Sequence, residues 1–544
     1  MKTKLSPYIA KKLCVYVILM ILLLGGNLAF GIQSGPYINK TIVSSDVANQ
    51  PATFQTQVTS TDGLSGYVFG SNNTGKWQNT TWTDPWTGTP SNGWANVTET
   101  LNPTVGIVVS FRFWINDTKN QWTTLAGLWI RTTSLISTHL PPNSVLANIF
   151  PFQRKSFTVN GTIFYYWING TNTKDSLVYS YSTDSGQKWQ KEQTIVNGLH
   201  NAGLFTLDYD GTYVHYAYIN RDRTLKYRRG KPFDNGTIIY SAPEQTVLNE
   251  PDCSYVFPTI RVNETGFPWI GCKRTDATTQ LPYVIKSQWN NGSWLTASGF
   301  PYCLNETSHT YWTVEPVPLE TIAEMYVVYG HDDEAWLGKS YDGNSWSSLE
   351  KIGSTPIECN TRHSIESYGD NMALVYHGLP NSTGTQYRYI YVSRNNSGIW
   401  SSEQTFAYGY DTLSSPAIQV KNNVEYVFWA ENETLYLVSR NTGNWQERVS
   451  VIQHQAVAGT LNGNFISIEN LKGFGIIYTT AFPDKLVFSY MQGQTPIPSI
   501  IAVICRAYDT LPGDAKWDSR ADLNCDLKVD GKDLGIAAKN YGKT

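Results

Sequence analysis

Near the end of the sequence, Asp522, Asn524, Asp526, Asp530 and Asp533 place side-chain oxygens at positions 1, 3, 5, 9 and 12 of one stretch, with the Lys528 carbonyl at position 7. Alternating oxygens followed by a terminal carboxylate wrap a hard cation, and four Asp with one Asn favour Ca²⁺ over Mg²⁺. The alternative is a solvated acidic turn. A second group of chemistry-bearing residues is dispersed along the chain. One set is His200, Asn201, Asp252, His309, Tyr311, Arg362 and His363; the other is Arg221, Asp222, Lys273, Arg274, His331, Asp332, Asp333, His377 and Glu431. Such groups bind a glycan through hydrogen bonds and ring stacking, or else form the polar rim of a channel. Other chemistries lack a start: there is no G-x-S-x-G elbow, no phosphate loop, no H-E-x-x-H and no C-x-x-C pair of the kind that holds zinc.

What would bring the dispersed residues together is a repeat. Between about residues 140 and 495 one unit recurs seven times: an apolar strand, a second strand, then a Gly-containing turn. The apolar strands run from Tyr165-Tyr166-Trp167 in the first unit to Ile476-Ile477-Tyr478 in the last, and the units are spaced by 46 to 57 residues. A period of about 50 with four short strands per unit is the signature of a β-propeller. On that scaffold the first set of polar residues falls where inner strands begin. The second set falls where second strands turn into third strands, and both places surround the central channel. The seventh unit, Gly463 to Gln492, runs out before a fourth strand, and Ser134 to Phe150 can supply one from the other end. Closing the ring in this way removes open sheet edges. Six blades is the alternative, if the last unit is a cap.

Composition agrees with many short strands. Aromatic residues make up 13% of the 544 residues and charged residues only 16%, with 43 Gly and 25 Pro as punctuation, which excludes disorder and coiled coils. The balance of 41 Lys+Arg against 44 Asp+Glu, without a basic block after the first twelve residues, argues against nucleic acid as a partner. Residues 1–31 combine Lys2, Lys4, Lys11 and Lys12 with an apolar run from Leu13 to Leu24 and a small-residue cleavage site at Ala29-Phe30-Gly31, which reads as a secretory signal peptide. An uncleaved anchor is the alternative; no later run is long enough to span a membrane, so no membrane contact is expected in the mature chain. Cleavage takes the net charge from −3 to −7. Fourteen Asn-X-Ser/Thr sequons, from Asn39 to Asn432, point to a glycosylated exterior and a secreted or cell-surface location. Six Cys follow the signal, enough for up to three disulfides of open connectivity. Residues 36–133 break the period, and their alternating segments fit an Ig-like β-sandwich.

Two resemblances sharpen this outline. Ser182-Thr-Asp184-Ser-Gly186-Gln-Lys-Trp189 matches the S-x-D-x-G-x-x-W pattern of the Asp-box in sialidase-like propellers, with looser copies at Ser287 to Trp294, Ser340 to Trp346, Ser393 to Trp400 and Ser439 to Trp445. In that pattern an Asp or Asn bonds its own turn, Gly takes the left-handed position, and Trp covers the hairpin. Residues 496–544, with the acidic loop and Tyr541-Gly542, resemble half of a dockerin, in which such a loop pairs with short helices. Leu527 stands where the loop's Gly is expected, and the first of a dockerin's two loops is missing. Calcium and a cohesin-type partner are what this resemblance implies; for the departures from it, a Cys505–Cys525 disulfide would compensate by tying the helix to the loop. A sialidase would further need an Arg cluster for a substrate carboxylate, a Tyr nucleophile with a Glu partner and an Asp acid. Here Phe152-Gln-Arg154-Lys-Ser lacks the family's Ile-Pro; Arg154, Arg274 and Arg362 are the candidate arginines, and Asp332 is the candidate acid.

The sequence therefore predicts a mainly β protein: signal peptide 1–31, Ig-like β-sandwich 36–133, six- or seven-bladed β-propeller 134–495, and a small α-helical dockerin-like module 496–544. Its expected role is to bind a glycan or protein ligand through His200, His309, Tyr311, His331, Asp333 and His363, held in an extracellular assembly by a calcium-dependent tail. The alternative is a glycoside hydrolase on the same scaffold.

Overall fold

The computed structural model describes residues 35–492 and Lys528, apart from residues 126, 139, 141–149, 170–174, 200–204, 321, 333, 358–360, 380–386, 410–414, 442, 447, 454–459, 470–472 and 482–484. The residues expected as signal peptide and as acidic loop (Asp522, Asn524, Asp526, Asp530 and Asp533) lie outside the described residues, as do Cys359, Cys505 and Cys525. Within them the chain is all β, and every ladder between its strands is antiparallel. The remaining cysteines, Cys253, Cys272 and Cys303, are free thiols.

The N-terminal module is two sheets closed on one core. Tyr37–Val43, Pro51–Thr59 and Asn92–Thr100 form the first; Leu64–Ser71, Gln78–Asn79, Val108–Asp117, Trp122–Thr124 and Trp129–Arg131 form the second. Pro51–Thr59 alternates strictly: Ala52, Phe54, Thr56 and Val58 point in, while Thr53, Gln55 and Gln57 point out. Period-2 patterning with one buried face is what a half-covered antiparallel sheet requires. Phe54 and Val58 meet Phe69, Phe111, Phe113 and Ile115 of the other sheet, with the Phe54 and Phe111 rings 4.8 Å apart.

Seven further sheets follow in chain order, each of at least four strands. Their first strands are Ser156–Val159, Phe205–Tyr209, Ser254–Val262, Trp312–Leu319, His363–Tyr368, Ala417–Lys421 and Thr460–Glu469, here taken as the inner strands of blades 1 to 7. Each first strand touches the next, and the seventh touches the first, so the inner strands form a closed circle. This is the arrangement of a β-propeller. The second strands are sandwiched between neighbouring sheets and read as continuous apolar runs: Ile163 through Ile168 are all fully buried. The fourth strand of blade 7 is Ser134–Ser137, which pairs with Lys485–Gln492 through Leu486↔Ser137 and Phe488↔Ser134. The two ends of the repeat region are thus sewn into one sheet.

The turns named by their sequence pattern have the local chemistry that pattern demands. In blade 1 the Asp184 carboxylate accepts from Ser182 Oγ at 2.7 Å and from the Lys188 amide at 2.9 Å, while the Gly186 amide donates to Ser182 Oγ. Gly186 sits at φ +85°, and a side chain there would strike the Phe488 ring. Trp189 donates to Ser134 Oγ at 3.1 Å and lies edge-on to Phe488, so this turn clasps the closing strand. Two of the sequons are buried strand or turn residues rather than accessible acceptors: Asn116 donates to Asn120, and Asn263 accepts from the Phe267 amide.

Candidate functional site along the propeller axis

The inner strands carry charge where the circle is narrowest. Asp208, Arg261, Glu315 and Glu366 come from blades 2, 3, 4 and 5, and Arg154 enters just ahead of the inner strand of blade 1. Arg154 bridges Glu366 at 2.6 Å and Asp208 at 2.9 Å. Burial pulls its pKa down, but the Glu366 and Asp208 carboxylates more than offset this and hold it above the ordinary arginine value. Arg261 is shifted the other way: burial and repulsion by Arg154 lower it, with Asp208, Glu315 and Glu366 pulling back. Asp208 also accepts from the Val262 amide at 2.9 Å, tying blade 2 to blade 3. Glu315 is 0% exposed, and neither of its carboxylate oxygens has a hydrogen bond; Arg261 Nη2 stands 3.9 Å away and His363 Nε2 3.8 Å.

A short segment seals one end of this cluster. Phe152 stacks on His363 at 4.7 Å, with the rings 8° from parallel, and His363 in turn packs against Trp336. Phe150 meets Phe257 edge-on, and Gln153 Nε2 donates to the Pro258 carbonyl at 2.9 Å. The chain entering blade 1 thereby reaches across to blades 3 and 5. Lys155 is buried in the same segment, its ammonium 3.9 Å from the Phe205 ring centroid, and burial drives its pKa down to about 7.

These contacts revise two expectations. His363, expected among the ligand-binding groups at the mouth, is fully buried beneath Phe152. Arg154, the candidate for holding a substrate carboxylate, is already engaged by two carboxylates of the chain itself. Arg274 is likewise engaged, by Glu250 at 2.8 Å and Asp276 at 2.6 Å; the hydrogen bond to Glu250 is the main reason its pKa lies above the ordinary value. Arg362 lies against His377, with Nη1 3.4 Å from Nδ1. His331 Nδ1 stands 2.8 Å from the backbone carbonyl oxygen of Asp332. His200 and Asp333 lie outside the described residues.

One group of the expected residues does come together, between blades 3 and 4. His309 stacks face to face with His331 at 3.6 Å, and both lie edge-on to Trp312. Beside them Tyr311 is half exposed, at 51%. Lys273 is held behind it, donating to the Thr310 carbonyl at 2.5 Å and to Gln280 Oε1 at 2.9 Å, with its ammonium 5.9 Å from the Tyr311 ring centroid. Burial lowers the Lys273 pKa. An exposed ring whose backbone is fixed by a buried cation is a stacking platform, able to take a sugar face or another flat apolar group.

The axial acids, Arg261 and Lys155 were not among the candidates read from sequence. A signal existed: Asp208, Arg261, Glu315 and Glu366 each interrupt an otherwise apolar or hydroxylated inner strand. Among the described residues no group of three or more His, Cys, Asp or Glu is placed to hold a metal ion.

No family model matches the chain, and no curated protein sequence does. Solved structures with a similar chain path include the polysaccharide lyase Uly1 (11% identity, 63% of this chain and 90% of that one, TM-score 0.40). An ulvan lyase of polysaccharide lyase family PL25 is 10% identical over 66% of this chain and 94% of its own, TM-score 0.42. The α-L-arabinanase of Penicillium chrysogenum is 12% identical over 63% of this chain and 94% of its own, TM-score 0.33. Likeness at this level concerns the path of the chain and brings no substrate with it.

Proposed function

We propose that the chain is an exported surface protein whose propeller binds a glycan between blades 3 and 4. The observation that carries this reading is the exposed Tyr311 ring beside the stacked His309–His331 pair, with Lys273 anchoring the Thr310 carbonyl next to it. Catalysis ranks second for a geometric reason. Glycoside hydrolysis needs two carboxylates about 5–10 Å apart that face the substrate. Of the axial acids, Asp208 and Glu366 are bound by Arg154, and Glu315 is sealed from solvent.

The tail belongs to the same proposal. Asp522, Asn524, Asp526, Asp530 and Asp533, with the Lys528 carbonyl, would hold Ca²⁺, and the ordered tail would dock on a cohesin-type partner; what supports this is the spacing of oxygens in the sequence.

A glycan array run with the full secreted chain, beside a reducing-end release assay on the glycans it retains, tests the propeller reading. Retention that weakens about tenfold in Tyr311→Ala, the loss of about 1.4 kcal/mol expected for a stacked ring, supports binding. Sugar release that Glu366→Gln abolishes would replace binding with hydrolysis.

A further inference from the structure

We infer that the outer face of the five-stranded sheet in the N-terminal module is a separate glycan-binding surface, with Trp82 and Trp122 stacking on the sugar rings of a neutral polysaccharide. The inference rests on that module alone and stands whether or not the propeller binds anything.

Trp82 and Trp122 are 44% and 45% exposed, and their ring centroids lie 5.6 Å apart at 67°. Their placement follows from the sheet. Gly66, Asn116 and Trp122 form one row across three neighbouring strands, so their side chains share a face. Gly66 leaves its place in the row empty and Trp82 fills it, since a Cβ there would strike the indole. Along the same strand as Asn116, Trp114 is buried and meets Trp77 edge-on. That second pair is packing, whereas the Trp82–Trp122 pair is left in water.

Two features choose a sugar as occupant. The first is the chemistry around the rings. Asn116 is only 7% exposed, and it donates through Nδ2 to Asn120 Oδ1 at 2.9 Å, while its own Oδ1 has no hydrogen-bond partner. Trp122 Nε1 donates to the same Asn120 oxygen at 3.3 Å. Asn120, which takes both donors on one oxygen, is itself exposed, so its amide nitrogen stands beside the Trp122 ring within reach of a sugar hydroxyl. Of the charges near the rings, Lys119 and Asp62 pair at 2.7 Å, and Asp84 on the Trp82 segment accepts from the Trp86 amide at 3.3 Å, a balance that favours a neutral sugar over an anionic one. The second feature is area. From the surface of an aromatic side chain and the exposures above, the two rings offer about 200 Å², far below the roughly 800 Å² a side of a stable protein interface, and of the order that one or two sugar rings cover.

Affinity electrophoresis of the full secreted chain through gels containing hydroxyethyl-cellulose, galactomannan, xylan or laminarin tests the surface. The expected result is retardation in at least one gel, weakened tenfold or more in Trp82→Ala and in Trp122→Ala and largely kept in Trp122→Tyr. Trp289→Ala, which removes an exposed indole elsewhere, is expected to leave it unchanged; a loss confined to Tyr311→Ala, with both Trp→Ala variants retained as the wild type, would assign the retention to the propeller. For a variant that does not fold, the wild-type chain supplies the readout: the retained polysaccharide should quench or shift tryptophan fluorescence and protect about two indoles from N-bromosuccinimide. No retardation in any of the four gels, retardation indifferent to both Trp→Ala changes, or binding confined to a protein partner would overturn the inference.

Discussion

Lys155 carries an ammonium group into the interior with little to compensate its burial. Its ammonium lies in a fully buried place, with an aromatic face at 3.9 Å and Gln153 Oε1 no nearer than 3.4 Å, and its pKa falls to about 7. In the unfolded chain the same group titrates near 10.5. Between those two values the unfolded state binds the additional proton, so stability rises with pH across the window from about 7 to 10.5. Below pH 7 the group is charged in both states and the burial penalty, at most about 5 kcal/mol, is fully present. Lys155→Met, which keeps the length and removes the charge, is therefore expected to raise the unfolding midpoint at pH 6.5 by several degrees. Its advantage should shrink as the pH approaches 10. Thermal unfolding of both proteins from pH 6 to 10 checks this, and parallel curves would refute the assignment. Glu315 makes the opposite case at the same scale: a sealed carboxylate tolerated because Arg261 and His363 stand on either side of it.

At the scale of elements, the turns and the inner strands obey different rules, and this decides which of them the sequence betrays. The turn of blade 1 holds itself with bonds inside eight residues, so Ser182, Asp184, Gly186 and Trp189 announce it by spacing alone. The turn of blade 5 repeats the device with Asn395, whose side-chain oxygen accepts from the Ser397 and Ile399 amides. Asp184→Asn should accordingly be nearly neutral, while Asp184→Ala should cost about 1 kcal/mol in urea unfolding through loss of the two bonds to Asp184 Oδ1. Equal costs for the two would show that the charge, rather than the acceptor, matters. The missing last strand was legible for a similar reason, because seven copies of one unit make a shortfall in the seventh visible. The axial charges show in the sequence only as polar breaks in their strands, without their role. Glu366 in His363–Tyr368 looks like any polar residue on a half-exposed strand, and only closing the circle turns that face inward onto Arg154. Phe150 to Lys155 was equally opaque: it reads as a linker before the first blade, and its role across the channel depends on partners more than a hundred residues away.

For the whole molecule the question is whether the two bodies behave as one. The strand Trp129–Arg131 is followed after two residues by Ser134–Ser137, the strand that closes the propeller, so the N-terminal module is spliced directly to the ring's seam. Contacts on both sides of that seam fasten it. Arg131 Nε donates to the Val451 carbonyl at 2.6 Å and Nη1 to the Gly106 carbonyl at 2.8 Å, and burial pulls the guanidinium pKa down to about 10. Across the same interface Gln187, inside the blade 1 turn, accepts from the Val105 amide at 2.8 Å, and Tyr478 donates to Asp46 at 3.2 Å. Gly106 is the sensitive point, because it has φ +89° and its missing Cβ would collide with the Tyr490 carbonyl. A side chain there must both strain the backbone and push the module off blade 7, a combination that costs about 2–4 kcal/mol. The wild-type protein should therefore unfold in a single calorimetric transition, and Gly106→Val should split it into two, with the chain between residues 131 and 140 becoming open to protease first. Two separate transitions in the wild type would mean that the interface does not couple the bodies, and the ring would then have to hold its seam without the module's help.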